Sequence, residues 1–334
     1  MAFSALGMAV AAPASAHTSE GYSHDSTIGL TNTDWMSALP GTRPLSELSV
    51  PATHDTGASR AGGDIALTQS MSLSEQLKSG IRGWDVRLGM HEGRLKIYHG
   101  IALQGQDFDT DVLATATTFL AAHPRETVLM RIAHETGNET NFGDLVKAQT
   151  DKYPRIYTGA SDNPALDAIR GKIVILQSFS SSRDFGIPWS SLAIQDNYQV
   201  NDNWGLAKKW SAIKGQLDAS RNGPKSKTYV NFLSGSGGSF PYFVASGHSS
   251  PGTDAPNLLT GLTRGIINTC GGNASCIAEF PSVNCFWGTC SVAFEGTNVL
   301  TMNELRARGH GSRAGLVYAD FPGRGLIQAV IDAN

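Results

Sequence analysis

The sequence has few charged residues and no long apolar segment. Only 16% of its 334 residues are Asp, Glu, Lys or Arg, and the formal net charge is −3. A protein that binds nucleic acid through its phosphates carries a marked excess of Lys and Arg. This charge balance therefore excludes a general polyanion binder, and we expect no nucleic-acid partner. Since no run of about 18 apolar residues is present, the sequence predicts no membrane-spanning helix.

Cysteine is also scarce. The four cysteines all fall in one short segment rich in Gly, Asn and Ser, at Cys270, Cys276, Cys285 and Cys290. Four cysteines allow three pairings. We favour two local disulfides, Cys270–Cys276 and Cys285–Cys290, because they would brace a loop-rich insertion that has little core of its own. A zinc site is the alternative, although the spacings are loose for a zinc ribbon.

The first residues lack Lys and Arg ahead of the apolar stretch 3–10. Ala14-Ser15-Ala16 then forms the small-x-small pattern that is typical of a signal-peptide cleavage site. We interpret residues 1–16 as the remnant of a signal peptide without its basic region; a disordered Ala-rich start is the alternative. Residues 17–334 are predicted to form one domain of a secreted, extracellular protein, and the clustered cysteines agree with export.

The middle of the chain has no Pro/Ser-rich linker and no charge block that would divide it. Apolar strands alternate with helical segments, which predicts a largely parallel sheet with helices outside. Polar residues recur where the predicted strands end, and in a β/α barrel that edge is the active-site face. They are His54, Asp85, Arg87, Glu135, Asp196, Tyr198 and Asp320. The sequence predicts an α/β fold, a single imperfect (β/α)8 TIM-type barrel with a disulfide-braced C-terminal insertion.

One stretch, from Gly80 to Gly100, is predicted to form a strand, a turn and a return strand. Asp85 and Arg87 are two residues apart, so they point to the same face of a strand, and His99 ends the return strand. A carboxylate, a guanidinium and an imidazole are costly against an apolar core. They are favourable around a pocket that holds an anion.

A second stretch, P-A-T-H-D-T at residues 51–56, places His54 and Asp55 in a turn after a predicted strand at 45–50. A lone His is more often structural. Two His at strand ends, with acids and an Arg beside them, suit general acid–base chemistry on a phosphodiester. One neutral imidazole removes a proton, one imidazolium donates a proton, and Arg87 spans the phosphate oxygens.

Three motifs in one order carry a family resemblance. P-A-T-H-D-T, then G-I-R-G-W-D-V-R, then Y-H-G resemble the catalytic half of the bacterial phosphatidylinositol-specific phospholipases C of the metal-independent type. The resemblance implies cleavage of phosphatidylinositol to diacylglycerol and inositol 1,2-cyclic phosphate, with slower hydrolysis to inositol 1-phosphate. It implies a monomer that acts transiently at membrane surfaces without a cofactor. The alternatives are a same-fold phosphodiesterase for another headgroup, or a catalytically silent lipid- or sugar-binding protein.

The resemblance also implies a role for each catalytic residue. His54 would be the general base for the inositol 2-hydroxyl, held by Asp320. His99 would be the general acid for the diacylglycerol oxygen, supported by Asp55. Asp85 would orient its neighbours. Arg87 would replace a divalent cation as the fixed positive charge at the phosphate, so we expect no metal.

The residues that match the family's sugar-binding set are fewer. Glu135, Asp196 and Tyr198 match inositol ligands. The family usually has a Lys two residues before that Glu, where this chain has Ala133. It has an inositol-binding Arg after the strand that reads K-I-V here, where this chain has Gln177-Ser178. The sequence therefore leaves open which inositol headgroup the pocket holds.

Aromatic residues are concentrated late in the chain, at Phe240, Tyr242, Phe243, Phe286 and Trp287. Aromatic side chains of this kind insert into lipid when they are exposed. We expect either an apolar rim that dips into lipid or ordinary buried packing.

Overall fold

The structure is a computed structural model. It describes residues 18–181, 185–203, 205–248 and 294–334, together with the backbone of three strands between 259 and 293. The predicted signal-peptide remnant, Cys270, Cys276 and Trp287 lie outside the described residues, and so do the side chains of Cys285, Phe286 and Cys290. No helix in the described part is long and apolar enough to cross a membrane.

The described strands are numbered in chain order. They are β1 Val50–Thr53, β2 Gly83–His91, β3 Arg94–His99, β4 Ala102–Asp107, β5 Val128–His134, β6 Ile173–Ser178, β7 Ile187–Pro188, β8 Ala193–Gln195, β9 Gln199–Val200, β10 Tyr229–Phe232, β11 Ser236–Gly237, β12 Leu259–Thr263, β13 Ser282–Phe286, β14 Thr289–Ala293 and β15 Leu316–Ala319.

The main sheet confirms the predicted parallel arrangement. Its strands follow the order β7-β6-β5-β2-β1-β15-β10-β8, and each neighbouring pair is parallel. The antiparallel hairpin of β3 and β4 extends it beside β2. The edge strands β7 and β8 are consecutive in the chain, separated only by residues 189–192. Because so short a segment links both edges, the sheet must curl into a barrel, although these two strands do not pair with each other.

The helices described are mostly short. The α-helices are Leu73–Ser79, Ala114–Ala122, Phe142–Thr150, Leu166–Ile169, Gly205–Asn222, Pro241–Ser246, Thr297–Arg308 and Arg324–Asp332. Short 3₁₀ turns lie at Trp35–Ala38, Leu45–Glu47, Gly63–Ile65 and Trp189–Ser191, and a π-helical turn lies at Phe108–Leu113.

Strand alternation divides the apolar residues between two cores. Trp84 and Val86 of β2 pack with the helices outside the sheet. Val50 of β1 and Phe232 of β10 pack with other inward residues in the barrel interior. Each fully buried side chain of this size contributes about 1.5–3 kcal/mol to folding. Successive side chains of a strand point to opposite faces of the sheet. Further toward the carboxyl ends of the strands, the inward positions are therefore occupied by the polar site residues.

Gly83 permits the close approach of β2 to β1. A Cβ at this position would lie 2.5 Å from the Cβ of Ala52, which is shorter than any unstrained carbon–carbon contact. Ala52 and Gly83 are paired across the two strands. The missing side chain therefore lets the turn after β1 reach the inward face of β2, where Asp85 and Arg87 lie.

One sequence prediction of secondary structure needs correction. The strand predicted at 45–50 is a 3₁₀ turn followed by β1, because Leu45 and Leu48 pack into the base of the barrel. Further along the chain, the helix Ala114–Ala122 is preceded by the π-helical turn Phe108–Leu113. The start of that turn is set by Asp107, whose carboxylate accepts from the amides of Asp109 and Thr110.

The C-terminal insertion contributes a separate small sheet. β14 pairs antiparallel with both β12 and β13. The backbone register places Cys285 directly opposite Cys290. The disulfides predicted for this insertion stay a prediction.

Candidate active site

The chain turns sharply after β1, and this turn presents His54 and Asp55 to the barrel interior. Asp55 has a φ of 41°, in the left-handed region that Asp tolerates better than most residues. The turn is fixed by side chains: Gln69 Nε2 donates to the carbonyls of His54 (2.8 Å) and Ala319 (3.0 Å), and Thr68 Oγ1 donates to that of Asp55 (3.0 Å). Such strained turns persist where the surroundings hold them, often at functional sites.

The hydrogen bonds of His54 define its tautomer. Its Nε2 lies 2.7 Å from Arg87 Nη2, and its Nδ1 lies 2.8 Å from Asp320 Oδ1. A guanidinium nitrogen only donates, so Nε2 of His54 must be the acceptor. The ring proton is then on Nδ1, where it is donated to Asp320. His54 is therefore a neutral imidazole with its basic nitrogen directed toward Arg87.

The electrostatic surroundings agree with this neutral state. Burial and the neighbouring Arg87 charge hold the pKa of His54 well below its usual range. Burial, reinforced by the Asp55 charge, raises the pKa of Asp320 well above its usual range. Oδ2 of Asp320 is buried without a hydrogen-bond partner among the described residues. Within the described residues, Asp320 therefore meets His54 through Oδ1, which accepts from Nδ1 of the imidazole.

His99 approaches the same point from the end of β3. Its Nδ1 donates to the Ala66 carbonyl at 2.6 Å, which leaves Nε2 directed at Asp55 Oδ2, 3.4 Å away. The ring centroids of His54 and His99 are 6.4 Å apart. The two imidazoles therefore present their Nε2 atoms to a common space, and Asp55 can stabilise a proton on His99.

Arg87 lies between the acidic side chains of the site. Its Nε is 2.8 Å from Asp55 Oδ1, its Nη2 is 3.1 Å from Asp85 Oδ2, and its Nη1 is 3.6 Å from Glu135 Oε2. These carboxylates outweigh the effect of burial and raise the pKa of Arg87 above its ordinary value. Glu135 also accepts from the Gly100 amide at 2.8 Å. The guanidinium is held in one orientation by three acids.

Asp85 and Asp55 differ although both are buried. Burial alone would raise the pKa of Asp85, but Arg131 and Arg87 hold it well below the usual range. Burial raises the pKa of Asp55 to about 7, against the opposing effect of Arg87. Asp85 is therefore held as a fixed negative charge, whereas burial opposes the ionisation of Asp55.

A cavity of about 260 Å³ opens onto these groups. Typical ligand pockets have volumes of roughly 300–1,000 Å³, so this cavity is slightly smaller than most. Its volume suits a ligand of about one ring. The lining residues are His54, Arg87, His99, Arg131, Asp196, Tyr198, Ser234, Gly235, Ser236, Pro241 and Asp320. Tyr198 is half exposed at its edge (51%). The cavity thus joins four of the six predicted catalytic residues to two of the three predicted sugar ligands. Asp55 and Asp85 lie behind it in contact with Arg87, and Glu135 contacts Arg87 as well.

Volume alone does not mark the site. A larger cavity, of about 530 Å³, is lined by residues 157–162 and 185–188, with Lys147 and Ile175. It contains none of the predicted site residues. Another, of about 520 Å³, shares Asp196 and Tyr198 with the site and extends along the start of the helix Gly205–Asn222.

One group among the described residues has a geometry that would suit a metal ion. Ligand atoms of His54, Asp55 and Asp85 lie within 4.8 Å of one another. Arg87 contacts each of the three, at 2.7, 2.8 and 3.1 Å respectively. A divalent cation in this position would meet a fixed positive charge at contact distance.

Two residues of the site, Thr56 and Arg131, were given no role from the sequence. Thr56 Oγ1 accepts from the Asp85 amide at 2.7 Å and so ties the turn to β2. Arg131 Nη1 donates to Asp85 Oδ1 at 2.7 Å. The sequence did contain a signal for Arg131. It lies two residues after Leu129 and two before Ala133, and strand residues two apart point to the same face. All three share the inward face of β5.

Comparison with known proteins gives a consistent result, although no family model matches the chain. The chain is 36% identical over 193 residues to 1-phosphatidylinositol phosphodiesterase of Listeria monocytogenes. The aligned segment covers 51% of this chain and 59% of that protein. It is 28% identical over 239 residues to the enzyme of that name from Staphylococcus aureus, covering 62% of this chain and 76% of that protein.

Solved structures extend the likeness to most of the chain. The phosphatidylinositol-specific phospholipase C of L. monocytogenes superposes with a TM-score of 0.64 at 25% identity, covering 91% of this chain and 99% of that one. The S. aureus enzyme, in a structure concerned with its membrane binding, superposes with a TM-score of 0.65 at 22% identity. The match covers 91% of this chain and 98% of that one.

The curled parallel barrel carries two imidazoles, an arginine and buried carboxylates at the carboxyl ends of its strands, and these are groups suited to general acid–base chemistry on an anionic ligand. Sequence and fold together make this chain a homologue of the bacterial phosphatidylinositol-specific phospholipases C.

Proposed function

We propose that this protein is a phospholipase C that cleaves phosphatidylinositol to diacylglycerol and inositol 1,2-cyclic phosphate. The observation that carries the proposal is the pair of imidazoles: His54 is neutral, with its Nδ1–H given to Asp320, and His99 faces Asp55 across a shared space. One proton acceptor and one proton donor on either side of a phosphate are what an intramolecular transfer requires.

In the first step His54 Nε2 removes the proton of the inositol 2-hydroxyl. The 2-oxygen attacks phosphorus, and the bond from phosphorus to the diacylglycerol oxygen breaks. His99 Nε2 gives its proton to that leaving oxygen. Arg87 donates to the phosphate oxygens, and the substrate hydroxyl takes the place at His54 Nε2 that Arg87 occupies in the free protein. The fixed guanidinium stabilises charge that develops on the phosphoryl group.

The second step reverses these roles. Neutral His99 takes a proton from water, and the resulting hydroxide attacks phosphorus of the cyclic product. The bond from phosphorus to the 2-oxygen breaks, and the imidazolium of His54 returns its proton to that oxygen. The product is inositol 1-phosphate. Since the pKa of His54 is held low by burial and by Arg87, its imidazolium is a strong acid in this step.

Membrane contact is proposed at apolar side chains beside the cavity. Ile101 follows His99 by two residues and is 94% exposed, and Ile65 adjoins Ala66, the hydrogen-bond partner of His99, and is 67% exposed. Phe240 is also exposed, whereas Tyr242 and Phe243 are buried, so packing explains the latter two. Exposed apolar residues around a headgroup pocket favour transient docking of a monomer on lipid.

We further propose that the protein is secreted after cleavage before His17. We also propose that the cysteine segment carries disulfides Cys270–Cys276 and Cys285–Cys290. The small-x-small pattern at 14–16 supports cleavage, and the opposed backbone positions of Cys285 and Cys290 support the second disulfide.

Phosphorus NMR of phosphatidylinositol vesicles tests the activity. We expect a cyclic phosphodiester signal first and an inositol 1-phosphate signal later. Direct appearance of the monophosphate without the cyclic species, or no product, would contradict the proposal.

Ile101→Asp tests the proposed membrane contact. It should slow cleavage in vesicles but leave hydrolysis of soluble inositol 1,2-cyclic phosphate unchanged. Equal slowing of both reactions would mean that Ile101 does not act through lipid.

A further inference from the structure

Arg131 lines the catalytic cavity from the inward face of β5. It is paired across strands with Asp85 on one side and Leu176 on the other. The next inward positions toward the cavity are Ala133 and Ser178, which are also paired. Both side chains are small. Arg131 lines the cavity, and these two small neighbours on the inward face leave its guanidinium uncovered.

The contacts of Arg131 hold the guanidinium but do not use all its donors. Nη1 donates to Asp85 Oδ1 at 2.7 Å and Nη2 donates to Ser178 Oγ at 3.3 Å. The guanidinium carbon lies 4.8 Å from the centre of the Trp189 ring. A guanidinium has five N–H groups, so three have no hydrogen-bond partner among the described residues. The one on Nε is buried.

The charge of Arg131 is only partly balanced in this arrangement. Asp85 is its ion-pair partner, and the same carboxylate also receives Arg87. Arg87, by contrast, reaches three carboxylates. A rigid guanidinium with spare donors and incomplete neutralisation, open to a cavity, is suited to bind electron-rich oxygen atoms of a ligand.

We propose that Arg131 is a substrate-binding residue that donates hydrogen bonds to ring hydroxyl oxygens of the inositol headgroup. This inference rests on the proposed function and deepens it. Asp196 lines the same cavity and only accepts while it is ionised. A polyol hydroxyl both donates and accepts, so Arg131 and Asp196 together recognise a polyol ring. The phosphate is bound separately, by Arg87.

The test separates ring binding from phosphate binding by calorimetric titration of two probes, myo-inositol and inorganic phosphate. Arg131→Met keeps an apolar stem against Trp189 and removes the donors. We expect the Kd for myo-inositol to rise roughly 10- to 100-fold, as for loss of a charged hydrogen bond, and the Kd for phosphate to stay within about twofold. Arg125→Met, at an exposed Arg that donates to the Ser37 carbonyl, is the matched control and should change neither.

Two results would overturn the inference. A parallel rise in both dissociation constants would mean that Arg131 acts only through Asp85 and Arg87, and an unchanged inositol Kd would mean no contact. If Arg131→Met does not fold, Ser178→Ala replaces it, with an expected rise of about two- to tenfold for inositol alone. Failure of the proposed function is distinct, because it appears as absence of cyclic phosphate with the wild-type enzyme.

Discussion

The 2.7 Å hydrogen bond between Arg87 and His54 links proton position to phosphate binding. In the free protein the guanidinium of Arg87 donates to the Nε2 lone pair of His54. In the proposed mechanism, the substrate phosphate would attract Arg87 and so free this lone pair to accept the proton of the 2-hydroxyl. The proposed base would therefore be most available when substrate is bound. Arg87 has this dual position because β2 presents it on the inward face, two residues after Asp85.

Replacing either imidazole should remove turnover without unfolding the protein. We expect His54→Ala and His99→Ala each to lower kcat by about 10²- to 10⁴-fold or more, because each deletes one proton transfer. The rate of formation of cyclic phosphate measures this. His310→Ala, at an exposed position, is the matched control. Activity within about tenfold of wild type in either site variant would remove that His from the mechanism.

The site residues that could be predicted are those whose direction is fixed by a local sequence pattern. Asp85 and Arg87 were expected on one face, and the structure places their side chains 3.1 Å apart. Arg131 was not assigned, because which face of a strand is inward depends on the whole sheet. The contact of Glu135 with Arg87 could not be predicted either, since it joins β2 to the residue that follows β5.

At the scale of elements, strands with continuous apolar runs were predictable and short polar ones were not. The strand that reads K-I-V was expected, and β6 covers Ile173–Ser178. β4, Ala102–Asp107, contains three polar residues and a Gly, and it was missed. It forms because β3 offers an unpaired edge. Tertiary context decides such strands more than their own composition does.

The cysteine segment gives a prediction at the scale of one element. Directly opposed residues of an antiparallel pair have Cα atoms about 4.5–5.5 Å apart, within the range of about 4.4–6.8 Å that a disulfide spans. Since β13 and β14 oppose Cys285 and Cys290, we expect these two to be joined and Cys270 to be joined to Cys276.

The measurement is the intact mass of protein recovered from the medium, after treatment with a thiol alkylating reagent and without reductant. We expect no alkylated thiol and a chain that starts at His17. Peptide mapping should then assign the two local pairs. Four alkylated cysteines or bound zinc would refute the disulfides, and an uncleaved start would refute export with removal of residues 1–16.

At the scale of the whole molecule, the barrel explains why residues so distant in sequence form one site. His54 and Asp320 are 266 residues apart, yet β1 and β15 are paired neighbours in the sheet. The last strand therefore supplies the partner of a His in the first. Parallel strands place all their carboxyl ends at one edge, so each strand can contribute a polar side chain without breaking the apolar interior below.

This arrangement also predicts that the enzyme needs no divalent cation. Arg87 contacts His54, Asp55 and Asp85, the three described residues that would otherwise suit a metal. A guanidinium and a dication at such a separation repel each other, and Arg87 already supplies the positive charge for the phosphate. Treatment with a chelator should leave phosphatidylinositol cleavage unchanged. A large loss that Ca²⁺ restores would contradict this assignment of Arg87.

Arg87→Asp provides the complementary measurement. It replaces the fixed cation with a carboxylate and so adds a hard oxygen ligand to those of Asp55 and Asp85. Activity should collapse by at least about 10²-fold, the scale for removal of a group that stabilises transition-state charge. Any recovery should require added Ca²⁺, which would then take the position of the guanidinium. Arg87→Asp with near-normal activity in the presence of chelator would show that neither Arg87 nor a metal holds the phosphate. Arg306→Asp, on the exposed face of the helix Thr297–Arg308, changes the net charge equally and should have no effect.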